Sequence, residues 1–198
     1  MKCAIVLNGE FTDNYDFGCV DKIIACDAAF SELKKRGVTP DIVLGDFDSL
    51  GYTPENALKF PVEKDMTDGE LAIEYASENG FDEIDIVSFG GKREDHFLGN
   101  LSLLIKATER GAKACGYTNF SKILFFEKGR HEFSAEVGTT VSLFTFQRCF
   151  VKESKGLKYP YKETLLKSDS TLGISNLTTE KIFSFEITEG SSFIMINK

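Results

Sequence analysis

The chain has 198 residues, 42% of them hydrophobic, enough for one large domain or two small ones with a proper core. Its formal net charge of −8 argues against a nucleic-acid or membrane-surface partner, because either asks for a basic face. The five cysteines are odd in number, scattered and without a CxxC pair, so neither a zinc site nor a disulfide framework is indicated, and reduced thiols in a cytoplasmic setting are expected. The apolar run at the N-terminus is too short for a signal peptide, and no run reaches membrane-spanning length.

Cys3-Ala4-Ile5-Val6-Leu7 is a continuous apolar run, the pattern of a strand buried on both faces, and Asn8-Gly9 ends it as a turn. Ile23 to Cys26 reads as a second strand. Asp27 follows it and precedes a helix carrying Ala28, Ala29, Phe30 and Leu33, where an aspartate is a natural N-cap. Ile42 to Leu44 is a third strand, stopped by Gly45 and followed by Asp46-Phe47-Asp48. Carboxylates at i and i+2 of an extended chain share a side, and like charges aimed at one point repel unless a cation lies between them. The pair is therefore either an acidic turn or the oxygen donor set of a hard metal such as Mg²⁺ holding a phosphate.

A loop is expected over residues 51–64, with Pro54 and Pro61. Thr67 and Glu70 then form a capping-box pattern ahead of Leu71, Ala72, Tyr75 and Ala76. Asp65 and Asp68 bring more acid to this helix start than capping and dipole complement require. After the strand Ile84 to Phe89, Gly90-Gly91-Lys92-Arg93 opens a helix carrying Phe97, Leu101 and Leu104. Bare amides, a helix dipole and two cations make a phosphate cradle, although the Walker A spacing is absent. His96 beside Asp95 reads as a structural residue of the first turn, with a general base as the alternative. Strands are expected over 112–117 and 123–126. Strand and helix thus alternate, as in a parallel α/β sheet, and the acids fall at strand ends, where such sheets bind ligands.

Near Glu127-Lys128-Gly129 the pattern changes to period-two alternation, as in Phe183, Phe185 and Ile187 against Ser184 and Glu186. The expected division is an α/β domain over 1–127 and an all-β sandwich over 128–198. The segments Gly156 to Tyr161 and Gly173 to Asn176 are either ordinary β turns or the rim of a pocket for an organic ligand.

Together these motifs resemble the thiamine pyrophosphokinase family. The resemblance rests on Asn8-Gly9, Asp27, Pro40-Asp41 with Gly45 to Ser49, Lys64-Asp65-x-Thr67-Asp68, Gly91-Lys92-Arg93-x-Asp95-His96 with Asn100-Leu101, Gly156-Leu157-x-Tyr159-Pro160 and Ser175-Asn176. It covers most of the chain and implies an α/β N-terminal domain with a mostly parallel sheet, then an all-β sandwich, in a homodimer with thiamine between subunits. The implied reaction moves the terminal diphosphate of ATP to the hydroxyethyl group of thiamine, giving thiamine diphosphate and AMP by attack at the β-phosphorus.

By the same resemblance, Asp46, Asp48 and Asp68 gather Mg²⁺ and the triphosphate and Asp27 joins them; one carboxylate must take the hydroxyl proton, and Asp68, with the polar Thr67 beside it, is the one expected to. Arg93 and Lys92 hold phosphate oxygens, while Asp95 orients Arg93 or a second metal ion. Asn8, Asp65, Thr67 and His96 complete the nucleotide side. Ser175 and Asn176 of a partner subunit meet the aminopyrimidine. Many members stack thiamine on a tryptophan; this chain has none, so Tyr159, Tyr161 or a phenylalanine takes that place. Two other readings stay open: a different Mg²⁺-dependent nucleotide or phosphate enzyme with a DxD site, and a non-catalytic thiamine-binding protein.

Overall fold

The computed structural model describes residues 1–47, 52–54, 57–59 and 65–198, and the chain separates into compact units over 1–119 and 120–198. In the first unit the short apolar runs become strands β1 (Lys2–Val6), β2 (Lys22–Cys26), β3 (Ile42–Gly45), β4 (Ala57–Lys59), β5 (Glu83–Val87) and β6 (Lys113–Tyr117). Their order is β6-β5-β1-β2-β3-β4, and every pairing is parallel. Helices α1 (Ala29–Lys35), α2 (Asp68–Glu78) and α3 (Glu94–Glu109) link the strands.

A parallel sheet covered on both faces needs small and aliphatic residues on both. Ala4, Val6, Ala25, Val43 and Val87 meet Ala29 and Leu33 of α1 on one face. The chain winds outward from β1 through β2 and β3 to β4, then returns to β5 on the other side of β1. The order reverses between β1 and β5, and at such a point the carboxyl ends of the strands leave a crevice.

Two local expectations are corrected. Asp27 does not cap α1: the N-cap is Ala28, with no side-chain cap bond. Asp27 instead takes φ 45°, and its amide donates to the Leu44 carbonyl at 2.7 Å. The Asp27 carbonyl still accepts from the Phe30 amide at 3.1 Å, so Asp27 meets the helix start through its backbone and not as a side-chain cap. The loop expected over 51–64 contains the short strand β4, which pairs with Val43 to Gly45. Asp48 lies outside the described residues.

The second unit has β7 (Ser121–Phe126), β8 (Gly129–Ser134), β9 (Thr140–Phe144), β10 (Arg148–Lys155), β11 (Lys162–Lys167), β12 (Asn176–Leu177), β13 (Ile182–Gly190) and β14 (Ser192–Asn197). They form two antiparallel layers, β12-β9-β14-β7 and β11-β10-β13-β8. Phe126, Val151, Leu166, Phe183, Phe185 and Ile194 share the core. The units divide at Asn119/Phe120, not at residue 127, because β7 pairs along its whole length with β14. Its apolar run reads alike in a parallel or an antiparallel sheet, so composition alone does not place it.

Candidate active site

The carboxyl ends of β1, β2 and β5, the first turn of α2 and the length of α3 enclose a cleft of about 1010 Å³. Its walls carry Asn8, Asp27, Thr67, Asp68, Lys92, Arg93, Asp95 and His96, all expected from the sequence. Asp68 opens α2 beside β2, where its carbonyl accepts from the Cys26 thiol at 3.6 Å. Thr67 caps that helix, its hydroxyl accepting from the Glu70 amide at 3.2 Å. The other half of the expected capping box is diverted: the Glu70 carboxylate takes the Lys106 ammonium at 2.6 Å.

The loops after β1 and β5 are laced together. The Leu7 amide donates to the Val87 carbonyl at 3.0 Å and the Glu10 amide to the Gly90 carbonyl at 2.7 Å. A side chain at Gly9 would begin only 2.0 Å from the Ser88 carbonyl oxygen, so this approach requires glycine. Ser88 itself holds φ 59°, costly for a residue with a Cβ, and Phe47 after β3 holds φ 62°. Thr12 fixes the first of these: its buried hydroxyl accepts from the Ser88 amide at 3.1 Å and donates to the Tyr117 carbonyl at 3.1 Å. Asn100 of α3 donates to the Phe89 carbonyl at 2.7 Å from inside the cleft.

The cations sit at the mouth. Lys92 donates to Asn8 Oδ1 at 3.0 Å. Arg93 and Asp95 are joined through two bonds, at 3.0 and 2.5 Å. Each shifts the other: the bond to Asp95 raises Arg93, and the bond from Arg93 lowers Asp95 below the usual carboxylate range. Two carboxylates, Asp27 and Asp68, and two cations, Lys92 and Arg93, thus line one cleft, a set of groups suited to a polyanion together with a hard metal ion.

Not every expected residue lines this cleft. Asp46 is half-buried just past β3, whose Gly45 lies close enough to Asp27 that an added Cβ would meet Asp27 Cβ at 3.1 Å. Asp65 is exposed ahead of α2. Neither is a lining residue. Thr12 and Asn100 do more than the sequence suggested. Asn100 stood in a matched motif, whereas Thr12, in a long irregular loop, carried no signal.

In the second unit, Tyr159, Ser175 and Asn176 come together. Asn176 is buried, and its side chain accepts from the Tyr159 amide at 3.1 Å and donates to the Tyr159 carbonyl at 2.6 Å. Its amide group holds the loop that presents the exposed Tyr159 ring. Ser175 is exposed at φ 62°, and its amide donates to Ser142 Oγ at 3.0 Å.

A doubly wound sheet with an acidic and cationic crevice at its switch point, followed by an antiparallel sandwich, defines an α/β enzyme of phosphate-group transfer with a second, all-β unit. Comparison with known proteins makes the assignment specific. The family described as thiamin pyrophosphokinase, catalytic domain, matches residues 18–115, and its vitamin B1 binding domain matches residues 130–191. Thiamine pyrophosphokinase of Bacillus subtilis (strain 168) is 29% identical over 177 residues, 84% of this chain and 83% of that protein. The crystal structure of thiamine pyrophosphokinase from Bacillus subtilis superimposes with a TM-score of 0.88 at 26% identity, over 100% of this chain and 99% of that one. Yeast thiamin pyrophosphokinase shares the fold, with a TM-score of 0.81 at 14% identity over 99% of this chain and 86% of that one. The chain belongs to the thiamine pyrophosphokinase family and is an enzyme of that family.

Proposed function

We propose that the cleft binds ATP with Mg²⁺ and that the enzyme transfers the diphosphate of ATP to the hydroxyethyl group of thiamine, giving thiamine diphosphate and AMP. The observation that carries this is the meeting of Asp27 and Asp68 with Lys92 and Arg93 at the carboxyl ends of β1, β2 and β5. Among the described residues no three acidic, histidine or cysteine side chains gather as a metal cluster. Two carboxylates nevertheless suit Mg²⁺, which commonly takes one or two from protein and the rest from phosphate and water. Asp27 and Asp68 would hold it, with Asp46 next to Asp27 in the adjoining strand; Asp48 belongs to the same reading. Bound there, the ion would neutralise phosphate charge.

Lys92 and Arg93 hold phosphate oxygens, and Asn8 keeps Lys92 at the mouth. Asp95 orients Arg93 through their paired bonds. Asp68 receives the proton of the attacking hydroxyl, so that oxygen reaches the β-phosphorus as a better nucleophile while AMP leaves. His96 lines the cleft as a structural residue of the first helical turn. Tyr159, Ser175 and Asn176, supplied by the second unit of a partner copy in a homodimer, form the thiamine surface, with Tyr159 as the stacking ring. No described helix is long and apolar enough to cross a membrane, and the five cysteines are thiols, which supports a reducing cytoplasmic location.

The decisive assay is AMP release from ATP with and without thiamine. Thiamine-dependent AMP is expected, and its absence would overturn the reading. Asp68→Asn should reduce turnover by ~10²–10³-fold with an unchanged melting temperature, a loss typical of removing one charge-stabilising or proton-accepting group.

A further inference from the structure

Ser88 is unfavourable in two ways at once. It stands directly after β5 at φ 59°, a conformation open to glycine and strained for any residue with a Cβ. Its side chain is wholly buried, and its hydroxyl meets no hydrogen-bond partner among the described residues. A buried hydroxyl left unpaired destabilises the state that contains it, on a scale similar to the backbone strain. Glycine would satisfy the backbone with neither penalty, so the turn alone does not account for a serine here.

The strain is held from outside. The Ser88 amide donates to Thr12 Oγ1 at 3.1 Å, and the next amide, of Phe89, donates to the Tyr117 carbonyl at 3.1 Å. The Phe89 carbonyl accepts from Asn100 Nδ2 at 2.7 Å, and the Gly90 carbonyl from the Glu10 amide at 2.7 Å. Gly91, at φ 96°, is a second point where the backbone leaves the ordinary region, and a Cβ there would fall 2.4 Å from Glu10 Cβ. Immediately beyond lie Lys92 and Arg93, the two cations of the cleft. The segment 88–91 therefore joins a strained, heavily clamped turn to the charges that line the site.

We propose that Ser88 is a positioning residue that acts as a loaded pivot. The clamps keep Lys92 and Arg93 on the cleft wall during the reaction, and the strain at Ser88 lets the segment leave that position so that a phosphate-bearing product is released. Relieving the strain holds the segment in place for too long; removing a clamp such as Thr12 frees it too early. The effect on turnover rests on the cleft carrying out the proposed transfer, whereas the effect on backbone opening does not.

The test compares the full chain as wild type, Ser88→Gly and Ser88→Ala by melting temperature, amide exchange and the kinetics of thiamine-dependent AMP release. Ser88→Gly removes both penalties and should melt ~2–4 °C higher, although glycine also frees the unfolded chain. Its Glu10 and Phe89 amides should exchange ~5–10-fold more slowly relative to those of Ile24 and Ala25 in β2, which report overall unfolding. A slowed step after chemistry lowers kcat and KM together, so both should fall by ~5–10-fold while kcat/KM stays near wild type. Ser88→Ala keeps the backbone strain and loses only the unpaired hydroxyl, so it should lie between the two in every readout. A Ser88→Gly variant that melts higher with wild-type kcat, KM and relative exchange would overturn the inference, because the strain would be inert. So would a variant that melts lower, because Ser88 would then be a packing residue. If wild type forms no thiamine-dependent AMP, the proposed function falls and the relative exchange alone decides: slower supports the pivot, unchanged removes it.

Discussion

The two units bury different materials and leave different things exposed. Residues 1–119 are built on Ala4, Ile5, Val6, Ala25 and Ala72, small or branched groups that let helices lie close on a parallel sheet. Residues 120–198 are built on rings: Phe185 alone contacts Phe126, Phe133, Tyr161 and Phe183 at centroid distances of 6.0–6.3 Å. In the first unit the strand ends are strained, with Asp27, Phe47 and Ser88 at φ 45°, 62° and 59°. That strain sits beside the charged cleft, and specific polar bonds, not bulk, hold it in place. The charged cleft is lined from the first unit, whereas the second unit, which carries positive φ of its own at Glu163 and Ser175, is packed around aromatic rings.

The largest effect should come from opening the aromatic core. Phe185→Ala is expected to reduce unfolding stability by ~3–5 kcal/mol in urea denaturation, since Phe185 is fully buried. A loss below about 1 kcal/mol would show that the rings are not what holds the second unit. Next comes alkaline pH. Burial pushes the Cys3 thiol up to about 12 and the Cys149 thiol to about 11, and Tyr15, Tyr117 and Tyr161 also rise, chiefly by burial. Groups raised in the folded state lend stability that is complete below their unfolded values, near 9 for a thiol and 10 for a phenol. That stability drains as pH climbs toward the folded values. Three of the five groups lie in the first unit, so in a pH series from 8 to 11 that unit should lose amide-exchange protection first; simultaneous loss in both units would break the contrast. Smaller again is Thr12→Val, which leaves the Ser88 amide buried without its acceptor. About 1–3 kcal/mol should be lost, with a larger fall in kcat than rise in KM as the Ser88 turn relaxes. An unchanged kcat would separate that strain from catalysis.

Much of this was legible in the sequence. Continuous apolar runs against alternating ones distinguish the parallel sheet from the sandwich, and Asp27 after a strand, with Asp68 and Lys92 at or just before helix starts, already pointed to the cleft. What was not legible depends on neighbours distant in sequence. Asp27 looked like a helix cap, but it sits at φ 45° with its amide tied to the Leu44 carbonyl of another strand, and the cap position falls to Ala28. Thr12 lies in a loop with no period, and its value comes from Ser88 and Tyr117, far along the chain. β4 is too short and too exposed to leave a hydrophobic signature.

The smallest predicted effect is the one that best separates scaffold from site. Thr67 caps α2 through the Glu70 amide and also lines the cleft. Removing the cap with Thr67→Ala should cost about 1 kcal/mol, a fall of ~2–4 °C in melting temperature for a chain of this size. Thr67→Ser retains the capping oxygen and should melt close to wild type. If Thr67 serves only as a cap, turnover under conditions where both variants are fully folded will match wild type in each. If its position beside Asp68 matters to the reaction, Thr67→Ala will raise the KM for ATP while Thr67→Ser will not, and the ratio of the two KM values measures how much of α2's first turn belongs to the site.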